Sequence, residues 1–288
     1  MNRGRVQGCK EALMCLGDKP ELAYSQYRET LADFGHKTTT EYVYRACEIA
    51  LSCGLLPHTN AGVLSSDEMK RLKDVNVSLG LMLENVSLRL RRKGMAHFSA
   101  PDKDPAVRLR MLCEAGELEI PFTTGILIGI GETVQERVDT LIAIREIHRT
   151  YGHIQEVIVQ NFRAKPDTPM SGAPEPESLD VAKTVAVARL ILGGEMNVQA
   201  PPNLNPTDHR LLLRSGINDW GGISPVTRDY VNPEAAWPHL DLLAQTCREE
   251  GFTLRERLAI YTEYIDRPGF LFPALHSRTQ ELQAQVIA

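Results

Sequence analysis

The sequence predicts an α/β fold: a TIM-like parallel (β/α) barrel with its first βα unit missing and about seven strands present. Three observations predict it. Apolar strand-like runs alternate with helix-period stretches about seven times, which implies parallel strands joined by crossover helices. The most strand-like run, Thr123 to Thr133 (TTGILIGIGET), lies near the middle of the chain, whereas a doubly wound sheet carries its glycine fingerprint in the first unit. Polar residues stand at strand carboxyl ends, where a barrel gathers its loops at one mouth.

The 288 residues are 43% hydrophobic and 24% charged, enough for one large core, so a single domain over 1–288 is expected, with 252–288 as a helical extension packed on the barrel. Net charge is -5 and the basic residues are dispersed, as in Arg89, Arg91, Arg92 and Lys93, which does not indicate nucleic acid. No apolar run approaches the roughly 20 residues needed to cross a bilayer, and no signal-peptide core opens the chain. A cytoplasmic protein with no membrane partner is expected. Its six cysteines, Cys9, Cys15, Cys47, Cys53, Cys113 and Cys247, include no Cys-x-x-Cys pair and fit free thiols in a reducing compartment.

Cys9 to Leu16 reads as a strand closed by the turn Gly17-Asp18-Lys19-Pro20. Thr39 to Ser52 is a helix, with Tyr42, Val43, Ala46, Ile49 and Ala50 at helical spacing and Gly54 ending it. Leu55 to Gly62 is the next strand. Ser65 to Lys73 is a charged helix capped at Ser66, and Val75 to Leu83 returns to strand character. Asp104 to Ala115 is helix, Ile120 to Gly129 the central strand, and Thr133 to Tyr151 a long amphipathic helix. Val157 to Val159 is a strand, Pro166 to Pro176 a proline-studded loop, Leu179 to Leu192 helix, and Met196 to Gln199 strand. Asp208 to Arg214 is helix, Ile217 to Trp220 a last strand, Trp237 to Glu250 helix, and Leu254 to Tyr264 a tail helix.

In the central run, Gly125, Gly129 and Gly131 admit unusual dihedrals and close approach of a flat ligand. The same pattern also serves plain helix entry, with Glu132 complementing the helix dipole. The strand ends carry His58 and Asn60, Glu84 and Asn85, Glu132, Gln160 and Asn161, Gln199 and Asn203, and Asp219 and Trp220. Each alone reads as a cap or a turn residue; together they mark one mouth.

Several stretches resemble radical S-adenosylmethionine enzymes of deazaflavin synthesis, and in particular their cyclising branch. They are GCKEALMCLGDKPE (Gly8 to Glu21), LPHTNAGVLS (Leu56 to Ser65), SLGLMLEN (Ser78 to Asn85), GMAHFSAPDKDP (Gly94 to Pro105), TTGILIGIGET, VQNFRAKPDTPM (Val159 to Met170), VQAPPNL (Val198 to Leu204) and NDWGGISPVTRDYVNPE (Asn218 to Glu234). Together they span nearly the whole chain. Gly125, Leu127, Gly129 and Glu132 fit the family's G-x-I-x-G-x-x-E strand, with Leu for Ile.

The resemblance implies a carbon–nitrogen lyase that closes a ring in a 5-(4-hydroxybenzyl)-6-ribitylimino-uracil adduct, with release of ammonia. It implies a 4Fe-4S cluster and S-adenosylmethionine, which together yield methionine and a 5′-deoxyadenosyl radical. Implied partners are the small-molecule substrate, an enzyme or fused domain that couples tyrosine to the pyrimidine, and an electron donor such as ferredoxin or flavodoxin. Carried over by position, Gly17, Asp18 and Pro20 would meet the amino group of S-adenosylmethionine, and Glu84 its ribose or carboxylate side. Ile128, Gly129, Gly131 and Glu132 would border the adenine. Asn60, Gln160, Asn161, Gln199, Asn203, Asp219 and Trp220 would meet substrate: a ribityl chain and a pyrimidine need neutral hydrogen-bond partners and an aromatic wall. His58 reads either as a general base or proton donor, or as a packed histidine.

The chain departs from the family in one respect. The Cys-x3-Cys-x2-Cys loop that holds the cluster is absent, and Cys9 and Cys15 lie about 20 Å apart along an extended strand, too far to replace it. Met1 to Gln7 reads as the tail of a helix, so the metal ligands are expected upstream of Met1 and none within the chain. A late start codon, a frameshift and a split enzyme each explain this. The rival is an inactive or split-gene fragment that binds substrate or a partner without turnover. A Schiff-base lyase would need a strand-end lysine, and Lys19 and Lys165 lie in loops.

Overall fold

The computed structural model describes residues 1–287. Strands and helices alternate from α1 (Asn2–Val6) and β1 (Glu11–Cys15) through α2 (Pro20–Ala23), α3 (Ser25–Asp33), α4 (Thr39–Ser52) and β2 (Leu56–Asn60) to α5 (Ser66–Lys73) and β3 (Ser78–Gly80). Then follow α6 (Pro105–Glu117), β4 (Phe122–Ile128), α7 (Val134–Tyr151), β5 (Ile154–Asn161), α8 (Ser178–Leu192), β6 (Val198–Gln199) and α9 (His209–Ser215). Three helices end the chain: α10 (Leu240–Glu249), α11 (Thr262–Ile265) and α12 (Pro273–Ile287).

Among the described residues, six strands form one sheet in the order β1-β2-β3-β4-β5-β6. The resolved pairings are parallel, in registers such as Glu11↔Leu56, His58↔Ser78, Leu79↔Phe122 and Val157↔Val198. A doubly wound sheet reverses its strand order at a switch point. This order never reverses, which is the sequence of neighbours in a (β/α) barrel.

The predicted strand at Ile217–Trp220 is reduced to one parallel bridge, Gln199↔Asp219. The predicted strand Val75–Leu83 shortens to β3, and beyond it Glu84 takes a positive φ of 62° where it bridges to Ile126. The tail helix expected over Leu254–Tyr264 is absent from Leu254 to Tyr261. Leu258, Ala259 and Ile260 are buried consecutively there, a pattern no helix face supplies. Helices α2 and α3 were not expected; α3 buries only Leu31, so it carries almost no apolar period.

Helix starts follow local chemistry. Thr38 caps α4, and capping boxes start α5 (Ser65 with Glu68) and α7 (Thr133 with Glu136). The α5 cap is therefore Ser65, one residue before the expected Ser66.

The chain divides into two compact units. The first comprises Met1–Leu81, Val107–Thr123 and the residues from Glu256 onward. Its core joins Leu56 and Val77 to Leu258, Ile260, Tyr264, Phe270, Leu271, Leu275 and Leu282. The second comprises Met82–Ala106 and Thr124–Arg255. In it α8 packs against α7, α9 and β5, burying Val181, Val185, Ala188, Leu212 and Val157.

Candidate functional site

In the second unit the centre is the turn from β4 into α7. Gly125 lies so close to β5 that a Cβ there would stand 2.2 Å from the Ile158 carbonyl oxygen. Gly129 and Gly131 take φ of 89° and 92°, open only to glycine at low cost. The Glu132 carboxylate folds back on this turn, accepting Gly129 N–H at 2.9 Å and Ile130 N–H at 2.8 Å. Arg137 donates its Nε to the same carboxylate at 2.7 Å and its Nη atoms to Asp180 and Thr184. The Glu132 side chain thus holds the turn's shape. Ile128 is fully buried, and its carbonyl accepts Phe162 N–H at 2.8 Å.

Glu84 stands beside this turn through its bridge to Ile126, with its backbone bonded to Gly125 O and Leu127 N. Its buried carboxylate meets His97 Nε2 at 3.0 Å and is also bonded by Lys103 Nζ. Both partners come from the segment 87–104, which is fastened over the same turn. Arg89 donates to Gly131 O at 2.7 Å and forms a two-pronged pair with Glu136. That pair, with Ser87 and Thr133 N–H, pulls the Glu136 pKa down to about 2. Met95 Cε comes within 3.3 Å of the Cβ position at Gly131. Glu84 and the Ile128–Glu132 turn, singled out separately in the sequence, therefore form one cluster.

Sequence reasoning missed His97, Lys103, Arg89 and Arg137. His97 and Lys103 lie in GMAHFSAPDKDP, a stretch that carried the resemblance, and Thr133-x-x-Glu136 was a readable capping box. Asn85 adds a buried Nδ2 with no hydrogen-bond partner, its Oδ1 taken by Ser87 N–H at 2.8 Å.

Further along the second unit, Gln199 and Asp219 face each other across the isolated bridge, and Asp219 accepts Gly221 N–H at 2.6 Å. A Cβ at Gly221 would sit 2.1 Å from the Gln199 amide, so glycine lets that amide lie flat against backbone. Trp220 is buried and meets His209 edge to face at 5.2 Å. Asn161 is committed internally, donating to Leu204 O at 3.3 Å and accepting from Asn205 Nδ2 at 2.9 Å. Asn203 donates to Asp229 Oδ2 at 2.9 Å. Gln160 is half-buried at the end of β5.

In the first unit His58 is buried, with Nδ1 2.6 Å from Ser78 Oγ. Ser78 donates its hydroxyl proton to Ala259 O, so its oxygen must accept from His58, placing the proton on Nδ1 and a lone pair on Nε2. Burial first, and Arg257 second, push the His58 pKa down to about 4, so the ring is neutral at pH 7. Asp18 accepts Val63 N–H at 3.0 Å, and its Cα lies 2.6 Å from the Cβ position of Gly62, whose φ is 72°. Gly17 meets open space, and Pro20 opens α2. Lys19 pairs with Glu68 at 2.7 Å on the rim of a cavity of about 330 Å³, also lined by Ser65, Arg110, Met111 and Glu114. Asn60 ends β2, half-buried, with its carbonyl bonded to Leu16 N–H at 3.0 Å.

No protein-family model matches the chain. Over 266 residues it is 54% identical to FO synthase of Mycobacterium tuberculosis, covering 91% of this chain and 31% of that protein. The chain thus spans about a third of the length of that curated relative. Over 268 residues it is 50% identical to 7,8-didemethyl-8-hydroxy-5-deazariboflavin synthase of Methanopyrus kandleri, covering 93% of this chain and 80% of that protein. The solved FeFe-hydrogenase maturase HydG from Carboxydothermus hydrogenoformans matches with a TM-score of 0.65 over 99% of this chain and 68% of its own, at 18% identity. That likeness shows the fold, a parallel (β/α) barrel. Identity at half of the aligned positions, across four fifths of the Methanopyrus protein, places the chain in the 7,8-didemethyl-8-hydroxy-5-deazariboflavin synthase family.

Proposed function

We propose that this chain is the ring-closing enzyme that forms 7,8-didemethyl-8-hydroxy-5-deazariboflavin, the chromophore of coenzyme F420. Its substrate is 5-amino-5-(4-hydroxybenzyl)-6-(D-ribitylimino)-5,6-dihydrouracil, and ammonia leaves, which makes it a carbon–nitrogen lyase. The observation that carries this reading is the 50% identity to the Methanopyrus enzyme over 93% of the chain.

S-adenosylmethionine and a 4Fe-4S cluster would supply a carbon radical strong enough to remove hydrogen from the substrate. The protein groups that fit the nucleoside are those of the Glu84 cluster. A buried carboxylate at a strand end, already balanced by Lys103 and His97, can accept ribose hydroxyls, and the glycine turn lets a flat base approach the backbone. Asp18 and Gly17 are proposed for the amino group. The described residues do not fit the cluster. None of their six cysteines is in a disulfide, and no three His, Cys, Asp or Glu side chains among them gather as a metal site.

Asn60, Gln160, Asn161, Gln199, Asn203, Asp219 and Trp220 are proposed for substrate, with Trp220 as the aromatic wall. A tyrosine-coupling enzyme would supply the substrate, and a ferredoxin or flavodoxin the electron. A relative of which the chain covers only 31% has room for the coupling domain.

The test is anaerobic reconstitution, with iron and sulfide, of the natural reading frame that contains this chain, followed by incubation with substrate, S-adenosylmethionine and a reductant. Deazaflavin fluorescence with release of methionine is expected. Substrate binding with neither product would instead identify a non-catalytic fragment.

A further inference from the structure

The amide of Asn203 has one orientation. Its Nδ2 lies 2.9 Å from Asp229 Oδ2. An ionised carboxylate only accepts, so the amide cannot turn its oxygen to that side. Burial works to raise the Asp229 pKa, but hydrogen bonds from Asn232, Asn203 and Val231 N–H outweigh it and hold the carboxyl below its usual range. The second Nδ2 proton has Ala235 O at 3.4 Å. Both donors of the amide are therefore committed to the segment 229–235.

The backbone on either side of Asn203 is pinned as well. His209 Nε2 bonds to Pro202 O at 3.1 Å, and Asn205 Nδ2 bonds to Pro201 O at 3.0 Å. Asn161 and Arg163 both donate to Leu204 O. Asp229 is itself held, accepting Val231 N–H at 2.8 Å and Asn232 Nδ2 at 3.1 Å. Asn232 in turn accepts from Lys165 Nζ at 2.9 Å.

What this leaves is the other end of the amide. Asn203 is 4% exposed, and its Oδ1 is buried with no hydrogen-bond donor among the described residues. An acceptor buried in that state has lost its water and gained nothing in return until a donor reaches it. Asn161, predicted from the same kind of strand-end position, has a protein partner at both ends and no such deficit.

We propose that Asn203 Oδ1 receives the ring N–H of the substrate's pyrimidinedione, and that Asp229 is the positioning residue that presents it. An amide locked by its nitrogen can only accept at its oxygen, so it selects an N–H and rejects an alkylated nitrogen or a carbonyl. A uracil-type ring offers such a group in its imide N–H, whose two flanking carbonyls would be repelled. The inference deepens the functional reading above and rests on its pyrimidine substrate.

The test uses the purified chain with 6-(D-ribitylamino)uracil as the probe and its N3-methyl analogue as the control, binding being followed by equilibrium dialysis. Wild type should bind the parent about tenfold or more tightly than the analogue. Asp229→Asn frees the amide to turn, because an asparagine can pair with either end of Asn203. Its ratio should fall to within about twofold, and Asp229→Glu should restore it. Asn203→Leu, which removes the acceptor, should weaken the parent and leave the analogue unchanged. It carries the test if Asp229→Asn does not fold.

Equal binding of both probes by wild type overturns the inference, since Oδ1 would then serve only a water. An unchanged ratio in folded Asp229→Asn or Asn203→Leu overturns it too. In both cases the pyrimidine substrate still stands. Absence of parent binding to folded wild type overturns the inference, while the pyrimidine reading is decided separately by the reconstitution described above.

Discussion

Arg137 and Glu132 form an ion pair at 2.7 Å in which the carboxylate is fully buried and the guanidinium 11% exposed. The same carboxylate holds the two amides of the glycine turn, so charge pairing and backbone shape depend on one side chain. Breaking a buried pair leaves a desolvated charge behind, so Glu132→Gln should lower unfolding free energy by about 3 kcal/mol in urea titrations. Asp180→Asn removes a partner of the same arginine but is 40% exposed, and it should cost less than about 1 kcal/mol. Equal losses for the two would contradict this ranking.

His58 makes stability fall on acidification. Its folded pKa, pushed down to about 4, lies below the ordinary 6.5 that it regains on unfolding. The unfolded chain therefore takes up the proton first, and stability present above pH 6.5 is lost as pH drops toward 4, by about 3 kcal/mol. His58→Gln keeps an N–H for Ser78 but does not titrate. Denaturant midpoints measured from pH 7 to 4 should decline less steeply in the variant, and parallel curves would count against the buried neutral ring.

Gly125→Ala places a methyl 2.2 Å from the Ile158 oxygen and 2.8 Å from its nitrogen, both backbone atoms of β5. Neither can swing aside as a side chain would. A loss of about 3 kcal/mol, or failure to accumulate folded protein, is expected. Gly172→Ala meets nothing within 4 Å and should change stability by no more than about 1 kcal/mol.

Arg189 ties two helix ends together. It donates to Gly193 O, Met196 O, Gly216 O and Asn218 Oδ1 at 2.6–2.8 Å, and to Gly194 O at 3.3 Å. A lysine has three donors on a single point and cannot span them. Arg189→Lys should therefore cost about 2 kcal/mol, with faster amide hydrogen exchange at 193–197 and 216–218 as the local signature.

The barrel was legible because its signals are local and periodic. The run TTGILIGIGET stated strand, turn and helix start in order, and the structure reproduces them as β4, the glycine turn and α7. Helices α4 to α10 each lie within a few residues of their expected places. Illegible were features set by distant contacts. The Leu258–Ile260 segment stays extended because Ser78 and the first unit's core claim it, although Leu254, Leu258 and Tyr261 are spaced like a helix. In the candidate site, Glu84 was readable as a strand-end carboxylate. Its partners His97 and Lys103 were not, since they arrive on an irregular segment of turns and two short 3-10 helices with no period to follow. The role of Asp229 was hidden for the same reason, 26 residues from Asn203.

Leu56 of β2 and Val77, just before β3, share a core with Leu258, Ile260, Tyr264, Leu275 and Leu282. Arg278 reaches Gly54 O at 2.7 Å, Lys10 reaches Glu256 at 2.6 Å, and Lys73 reaches Gly269 O at 2.6 Å. A ribosome delivers these partners after β1 to β3. At about 5–20 residues per second, these strands emerge many seconds before the segment that covers them exists. During that interval their apolar surface is open to chaperones, and nascent chains stalled before Glu256 should be digested by protease at β2 and β3 while chains extended through Ile287 resist.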